Sequence, residues 1–316
     1  MSPWCGQGRE IHVQEVALRD GFQSEAGFVP TEEKIKLVDQ LTACGLKKIE
    51  VSSFVSPRAV PQLADAEAVF QGITRRPGVI YAALVPNVLG LERAIAARAD
   101  EVNLVMSASE SHNRANLRRS GDASFQAIKE AAALAATVGM RIAASLSCSF
   151  GCPFEGEIPA AAILRWCRRL QEEAGIHSIS LCDTTGMAYP ALVHDLVGLV
   201  RQTYPAVNLA LHFHNTRGLG LANVFAGLDA GVIHFDAALA GIGGCPYAPG
   251  ATGNICTEDL IHALEVSGYR CGVDLDALIA TAGDFEKLLG HATPGQVLKA
   301  GRRLRGHRAD QHGPAA

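Results

Sequence analysis

The chain has 316 residues, 48% of them hydrophobic, which is enough apolar surface to form a large buried core. Its net charge of −4 comes with no concentrated basic stripe, which argues against nucleic acid as a partner. No segment approaches the roughly 18 uninterrupted apolar residues of a membrane helix, and the first ten residues lack a signal-peptide pattern. We therefore expect a cytoplasmic protein with no membrane partner. The nine cysteines are odd in number and scattered, which predicts reduced thiols.

Apolar, β-branched segments alternate along the chain with longer segments of helical periodicity. The predicted strands are 11–18, 46–51, 79–84, 101–106, 141–146, 178–181, 207–211 and 233–239. The first predicted helix starts at Pro30 and Thr31. The other predicted helices are 63–70, 89–97, 124–138, 160–174, 191–203, 219–230, 258–266 and 275–289. A long loop is expected between the fourth strand and its helix.

Eight strand–helix units in succession predict an α/β fold, a (β/α)8 TIM barrel with an additional C-terminal helical segment. The barrel domain with this segment would span residues 1–290. Residues 291–316 would form a basic, then polar tail that is partly disordered. A doubly wound open sheet is the alternative, but the first strand leads into Arg19-Asp-Gly-Phe-Gln-Ser24, which has one glycine and not the G-x-G-x-x-G of a dinucleotide fold.

Two histidines separated by one residue, His212 and His214, follow the seventh predicted strand. A strand repeats its side-chain direction every two residues, so both imidazoles should point to the same side. Two imidazoles projecting together form half of a divalent-metal site. The alternative is a pair of hydrogen-bonded histidines at a strand end.

Other polar residues follow several predicted strands, and in a barrel the carboxyl ends of the strands form the active site. Asp20 would add a carboxylate ligand and Asn254 a side-chain carbonyl ligand. Two imidazoles with oxygen ligands suit Mg²⁺ or Mn²⁺ better than structural zinc, which would prefer thiolates.

Each strand-end residue also has an ordinary explanation. An aspartate such as Asp183 often only caps the following helix. Arg19 could form a structural ion pair with Glu50, and Cys245 in a Gly-Pro loop could be inert. The convergence of many strand ends at one mouth nevertheless favours a functional site.

The chain resembles the 3-hydroxy-3-methylglutaryl-CoA lyase family, which belongs to a superfamily of metal-dependent TIM-barrel lyases and acyltransferases. The resemblance covers residues 13–289. Its landmarks are Arg19-Asp-Gly-Phe-Gln-Ser-Glu25, Ile49-Glu-Val-Ser-Ser-Phe-Val-Ser-Pro57, Val60-Pro-Gln62, Gly151-Cys-Pro-Phe-Glu-Gly156, Asp183-Thr184, the two histidines and Ala240-Gly-Ile-Gly-Gly-Cys-Pro-Tyr-Ala248. The cysteine loop is similar to that of the lyase branch in particular.

The resemblance implies a role for each matching residue. The implied metal ligands are Asp20, His212, His214 and Asn254. The implied catalytic residues are Arg19, Asp183 and Cys245, supported by Glu50, with Gln23 and Ser53 contacting substrate or supporting the site and Glu258 behind the metal ligands. The implied reaction cleaves an acyl-CoA thioester, 3-hydroxy-3-methylglutaryl-CoA, into acetyl-CoA and acetoacetate.

The chemistry of these residues suits such a retro-Claisen cleavage. A metal would chelate the substrate hydroxyl and a carboxylate oxygen. Asp183 would take the hydroxyl proton, with His212 as the alternative base. Arg19 would stabilise the enolate, and Cys245 would protonate it.

Some residues depart from the family pattern near the expected mouth. Asn215 stands in place of the usual aspartate, Arg217 in place of an aromatic residue, and Cys182 in place of a glycine. Alanines 237 and 238 stand where serines are expected. None of these removes a proposed ligand. The 3-alkyl group of the substrate could therefore be larger than methyl.

Two other functions compete with the lyase. One is a Claisen-type acyltransferase resembling isopropylmalate or citramalate synthase, which would share the metal site but carry a long C-terminal regulatory region. The other is a non-catalytic barrel that serves as a scaffold. The resemblance to the lyases further implies a homo-oligomer, dimer or tetramer, and a role in leucine degradation and ketone-body formation.

Overall fold

The computed structural model describes residues 2–244 and 252–306. Within these ranges eight parallel strands pair in sequence order, and the eighth pairs with the first, which closes a barrel. The strands are β1 (His12–Glu15), β2 (Lys48–Ser53), β3 (Ile80–Val85), β4 (Glu101–Ser107), β5 (Arg141–Ser147), β6 (Ser178–Asp183), β7 (Asn208–Phe213) and β8 (His234–Ala237). The predicted (β/α)8 barrel is confirmed, and the open sheet is ruled out.

Helices lie around the barrel, and most of them bury apolar residues towards the core. They are α1 (Thr31–Ala43), α2 (Ala66–Gly72), α3 (Val88–Ala96), α4 (Glu110–Leu117), α5 (Gly121–Thr137), α6 (Ala160–Arg168), α7 (Pro190–Thr203), α8 (Gly220–Asp229), α9 (Thr257–Val266), α10 (Leu275–Leu289) and α11 (Gln296–Ala300). In α5, for example, Phe125, Ile128 and Ala132 are buried at helical spacing. Among the described residues no helix is long and apolar enough to cross a membrane, and the cysteines there are free thiols.

The first strand is shorter than predicted. β1 ends at Glu15, and residues Ala17–Gly21 form a single π-helical turn. The backbone N–H groups of Arg19 and Asp20 both donate to the carbonyl of Val16, at 3.1 and 2.8 Å. The buried Glu15 carboxylate accepts the N–H of Ala17 at 2.8 Å. These bonds turn the chain before the predicted end of the strand and aim Arg19 and Asp20 at the mouth of the barrel.

The predicted long loop after β4 contains the helix α4. Ser109 begins this helix and accepts the N–H of His112 at 3.1 Å, while the Glu155 carboxylate accepts the N–H of Ser111 at 2.6 Å. A serine cap followed by an acidic first turn is a recognised helix start. Part of the loop therefore forms a helix over the mouth.

The predicted tail after residue 290 includes the short helix α11. The Asp259 carboxylate of α9 accepts the N–H groups of Gln296 and Val297, at 3.0 and 2.7 Å, and so holds the start of α11 against α9. The division into a barrel domain and a tail stays a prediction, although residues of the tail pack on the barrel.

Candidate active site

His212 and His214, at the end of β7, project into the barrel mouth on the same side. Their Nε2 atoms lie 3.1 Å apart, and both side chains are buried. The Asp20 Oδ2 atom lies 3.9 Å from Nε2 of His212 and 3.6 Å from Nε2 of His214. One ligand atom from each of the three residues lies within 4.8 Å of the others. This arrangement could hold one divalent ion.

Asn254 contacts this cluster from the other end of the sequence. Its Nδ2 donates to Asp20 Oδ2 at 2.7 Å and to the carbonyl of Ile242 at 3.0 Å. Its Oδ1 is buried and has no hydrogen-bond partner within residues 2–244 and 252–306. A buried acceptor without a partner is costly unless a ligand satisfies it. The four predicted ligands thus come together, and their nitrogen and oxygen atoms suit a divalent metal ion.

The electrostatic surroundings favour the ligating form of Asp20 and His214. Burial alone would raise the pKa of Asp20, but Arg19 and the two imidazoles hold this pKa well below its usual range. Asp20 is therefore a carboxylate at neutral pH. Burial lowers the pKa of His214, which favours the neutral imidazole that binds metals.

Asp236 on β8, which was not among the predicted site residues, orients His212. Its Oδ2 lies 3.3 Å from Nδ1 of His212, which leaves the other ring nitrogen facing Asp20. The two residues are partners in the register of β7 and β8. A carboxylate behind a metal-binding imidazole fixes the tautomer and raises the basicity of the ligand. The sequence signal was an aspartate in the middle of a mostly apolar predicted strand, the one that follows the strand of the histidines.

Asp236→Asn should weaken metal binding about 10- to 100-fold, because the neutral amide cannot raise the basicity of His212. Titration of the metal-free protein with Mn²⁺, followed by calorimetry, measures this affinity. Asp195→Asn, a change at an exposed aspartate of α7, serves as the control. Equal Mn²⁺ affinity in Asp236→Asn and the parent would contradict the orienting role.

Arg19 lies beside the metal cluster in a fixed orientation. Its Nε donates to Glu50 Oε2 at 2.6 Å, and its Nη1 donates to Asp20 Oδ1 at 2.5 Å. Glu50 is fully buried and accepts the Nδ2 of Asn103 at 3.0 Å, and Asn103 Oδ1 accepts the hydroxyl of Ser145 at 3.0 Å. Burial alone would lower the pKa of Arg19, but the carboxylates of Glu50 and Asp20 hold it above its ordinary value. The guanidinium is thus permanently charged.

These residues face a cavity of about 240 Å³. The metal cluster and Arg19 line the cavity on the side of β1 and β7. Leu84, Val105 and Leu117, from β3, β4 and α4, line it across the closed barrel, next to polar side chains of α4 and β5. The lining residues are Arg19, Asp20, Gln23, Val55, Ala59, Val60, Leu84, Pro86, Val105, His112, Asn116, Leu117, Ser145, Ser147, Cys182, Thr184, His212, His214 and Gly244. Gln23 is therefore placed where a substrate contact was expected.

Asp183 does not line this cavity, although its neighbours Cys182 and Thr184 do. In the register of β6 and β7, Cys182 pairs with His212 and Asp183 pairs with Phe213. Successive strand residues point to opposite faces, so Cys182 shares the side of His212. The Oδ1 of Asp183 accepts the N–H of Met187 at 2.7 Å, while its Oδ2 is buried without a hydrogen-bond partner in the described part of the chain. Burial raises the pKa of Asp183 to about 6.

Two other predicted residues, Ser53 and Glu258, take different places. Ser53 is buried, and its hydroxyl accepts the N–H of Val55 at 3.3 Å. Glu258 is buried on α9, and its Oε2 accepts the N–H of Ala240 at 3.0 Å. Both side chains support the backbone around the mouth and do not line the cavity. Cys245 lies outside the described residues.

A second cavity, of about 370 Å³, lies at the amino ends of the strands. His12, Lys48, Glu101 and His234 line it, and the rings of His12 and His234 stack at 4.7 Å. This end of a TIM barrel contributes to stability, whereas the chemistry takes place at the carboxyl end. The smaller cavity is therefore the candidate active site.

The fold and this site define a TIM-barrel protein with a candidate divalent-metal centre at the carboxyl ends of its strands. The family model described as HMGL-like matches residues 10–284. The chain belongs to the HMGL-like family, which confirms the resemblance seen in the sequence.

Individual relatives match almost the whole chain. A hydroxymethylglutaryl-CoA lyase of Bacillus subtilis is 41% identical over 92% of this chain and 97% of its own length. The mitochondrial hydroxymethylglutaryl-CoA lyase of Rattus norvegicus is 41% identical over 94% of this chain and 91% of its own length. The solved structure of an HMG-CoA lyase from Acinetobacter baumannii, in complex with coenzyme A and 3-methylmalate, matches with a TM-score of 0.90 and 47% identity, covering 94% of this chain and 97% of that one.

Proposed function

We propose that this protein is a divalent-metal-dependent lyase that cleaves 3-hydroxy-3-methylglutaryl-CoA to acetyl-CoA and acetoacetate. The observation that carries the proposal is the cluster of Asp20, His212 and His214 in a chain 41% identical to a hydroxymethylglutaryl-CoA lyase over nearly its full length. The reaction is a retro-Claisen cleavage, in which the substrate hydroxyl loses a proton and the bond to the thioester methylene breaks.

The metal would be held by Asp20, His212, His214 and Asn254. We propose Mg²⁺ or Mn²⁺, because half of this ligand set is oxygen and the set has no thiolate. The bound ion would supply polarisation of the substrate hydroxyl and orientation of the bond that breaks. Asp236 would orient His212 for this purpose, and Glu258 would support the backbone behind the ligands.

Arg19 would stabilise the negative charge that develops on the thioester oxygen. Two of its nitrogens are engaged by Glu50 and Asp20, so the guanidinium is held in place before the substrate arrives. Fixed donors aimed at developing charge need no reorganisation during the reaction, which is the main source of their catalytic effect. Glu50 would thus act through Arg19 as a positioning residue.

Two proton transfers complete the reaction. Asp183 would accept the hydroxyl proton, and its pKa of about 6 leaves it mostly ionised at neutral pH. Its Oδ2 would have to reach the cavity from beside the lining. Cys245 would then donate a proton to the enolate carbon, a role proposed from the family resemblance. Gln23 and Ser53 would contact the substrate or support the site.

A pH profile tests the role of Asp183. Only the carboxylate can act as a base, so kcat of the parent should fall as the pH drops through about 6, towards tenfold per pH unit. Asp183→Asn should lower kcat at pH 8 about 100-fold and remove this acid limb. Asp195→Asn should keep the parental profile. If Asp183→Asn retains both the rate and the limb, His212 becomes the candidate base.

The function itself is tested by the release of acetyl-CoA from purified protein with Mg²⁺ or Mn²⁺. The substrates are a series of 3-hydroxy-3-alkylglutaryl-CoA thioesters, beginning with the methyl compound. A Claisen-type acyltransferase would instead consume acetyl-CoA in the presence of a 2-oxo acid, and a scaffold would do neither. Either of these two results would overturn the proposed function.

The remaining proposals rest on the family resemblance. We propose a homo-oligomer, dimer or tetramer, that works in the cytoplasm in leucine degradation and ketone-body formation. Sedimentation of the purified protein would establish its oligomeric state.

A further inference from the structure

The candidate active-site cavity is lined by charged, polar and apolar groups. Arg19 and the metal cluster lie on the side of β1 and β7, whereas Leu84, Val105 and Leu117 come from β3, β4 and α4 across the closed barrel and form an apolar wall. Ligand pockets with a few convergent polar groups and an apolar wall fix both the orientation and the size of what they bind. The apolar wall is therefore a candidate determinant of specificity.

The proposed substrate has one group that suits this wall. Its carbon 3 carries a hydroxyl group, a carboxymethyl group, the methylene that leads to the thioester, and an alkyl group. The hydroxyl and the carboxylate need polar partners, and the thioester arm must lead out of the cavity because coenzyme A is far larger than the space available. Only the alkyl group gains free energy by contact with apolar side chains. It should lie against the apolar wall.

A smaller cavity of about 80 Å³ lies behind this wall. It is lined by Pro86, Asn87, Val105, Leu117, Arg119 and Ser124. Pro86, Val105 and Leu117 also line the main cavity, so these three side chains form the partition between the two spaces. If one of these three side chains were smaller, an alkyl group too long for the main cavity could extend into the second cavity.

Leu117 is the member of the partition that the barrel does not constrain. Val105 lies within β4 and pairs with Ser145 of β5, and Pro86 directly follows β3. Leu117 is the last residue of α4, and the next residue, Arg118, has a left-handed φ of 55° that ends the helix. The Leu117 side chain is half-buried. Its size can therefore change without disturbing a strand of the barrel.

We propose that Leu117 sets the length of the 3-alkyl group that this enzyme accepts, by closing the main cavity off from the smaller one. The inference rests on the proposed function and specifies the substrate range of the same site. One methylene more or less in an apolar pocket changes kcat/KM roughly 10- to 200-fold. The effect is therefore large enough to measure.

The experiment compares kcat/KM for 3-methyl, 3-ethyl and 3-butyl members of the 3-hydroxyglutaryl-CoA series in the parent, Leu117→Ala and Leu117→Phe. Leu117→Ala should raise the butyl-to-methyl ratio about tenfold or more, and Leu117→Phe should lower the ethyl-to-methyl ratio. Leu164→Ala removes a similarly half-buried leucine on α6, away from the cavity, and should leave both ratios at the parental values.

Unchanged ratios in Leu117→Ala, with a parent that cleaves the methyl compound, would overturn this inference and leave the proposed function standing. An equal rise in KM for all three substrates would place Leu117 against the thioester arm and would also overturn it. If Leu117→Ala does not fold, an unchanged ethyl-to-methyl ratio in Leu117→Phe decides against the inference. A parent that cleaves no member of the series overturns the proposed function, and this inference with it.

Discussion

His212→Ala should lower the rate of 3-hydroxy-3-methylglutaryl-CoA cleavage about 1000-fold or more. The substitution removes one of the two imidazoles whose Nε2 atoms lie 3.1 Å apart and leaves Asp236 without its partner. Metal assistance is worth several kcal/mol of barrier, and each 1.4 kcal/mol is about a factor of ten in rate. Acetyl-CoA release and Mn²⁺ binding, measured on the same preparation, should be lost together.

His194→Ala is the matched control, because His194 is a half-exposed histidine on α7, outside the barrel mouth. Its metal affinity and turnover should equal those of the parent. Full activity of the parent in metal-depleted buffer, or normal Mn²⁺ binding by His212→Ala, would refute the metal site.

Arg19→Lys should lower kcat about 100- to 1000-fold, as the loss of one aligned electrostatic donor commonly does. Lysine keeps the charge, but its ammonium is a point charge and cannot reproduce the guanidinium fork that bonds Glu50 and Asp20 at once. The fully buried Glu50 would also lose its closest partner. Steady-state kinetics with saturating metal separate the expected fall in kcat from any change in KM.

Arg75→Lys, at an arginine that pairs with Asp100 outside the mouth, controls for the general effect of the substitution and should retain parental kinetics. Near-normal turnover of Arg19→Lys would point to another group as the enolate stabiliser.

The sequence was sufficient to predict the barrel and most of the metal cluster. Local sequence patterns predict both. Apolar strands that alternate with amphipathic helices indicate the barrel, and the two-residue repeat of a strand places His212 and His214 on one side. The end of β1 was not predictable in this way. Residues 16–18 are all apolar, and only the hydrogen bonds to Val16 and the carboxylate of Glu15 turn the chain there.

The limits of sequence reasoning are clearest at Asp183 and Asp236. Both lie in or at the end of strands, but which of them faces the histidines depends on the register between neighbouring strands. That register pairs Cys182 and Asp236 with His212. Register results from packing of the whole barrel, so a single sequence cannot reveal it. The position of Asp183 relative to the histidines was therefore not predictable from the sequence, and Asp236 was not among the predicted site residues.

The hydrogen bonds from Ser145 through Asn103 and Glu50 to Arg19 connect β5, β4 and β2 to the turn after β1. The side-chain entropy of this arginine is consequently lost when the protein folds, not when the substrate binds. Such preorganisation lets the binding energy of the substrate be used at the reacting atoms. A substitution in β4 or β5 that breaks these hydrogen bonds should therefore lower the turnover rate without weakening substrate binding.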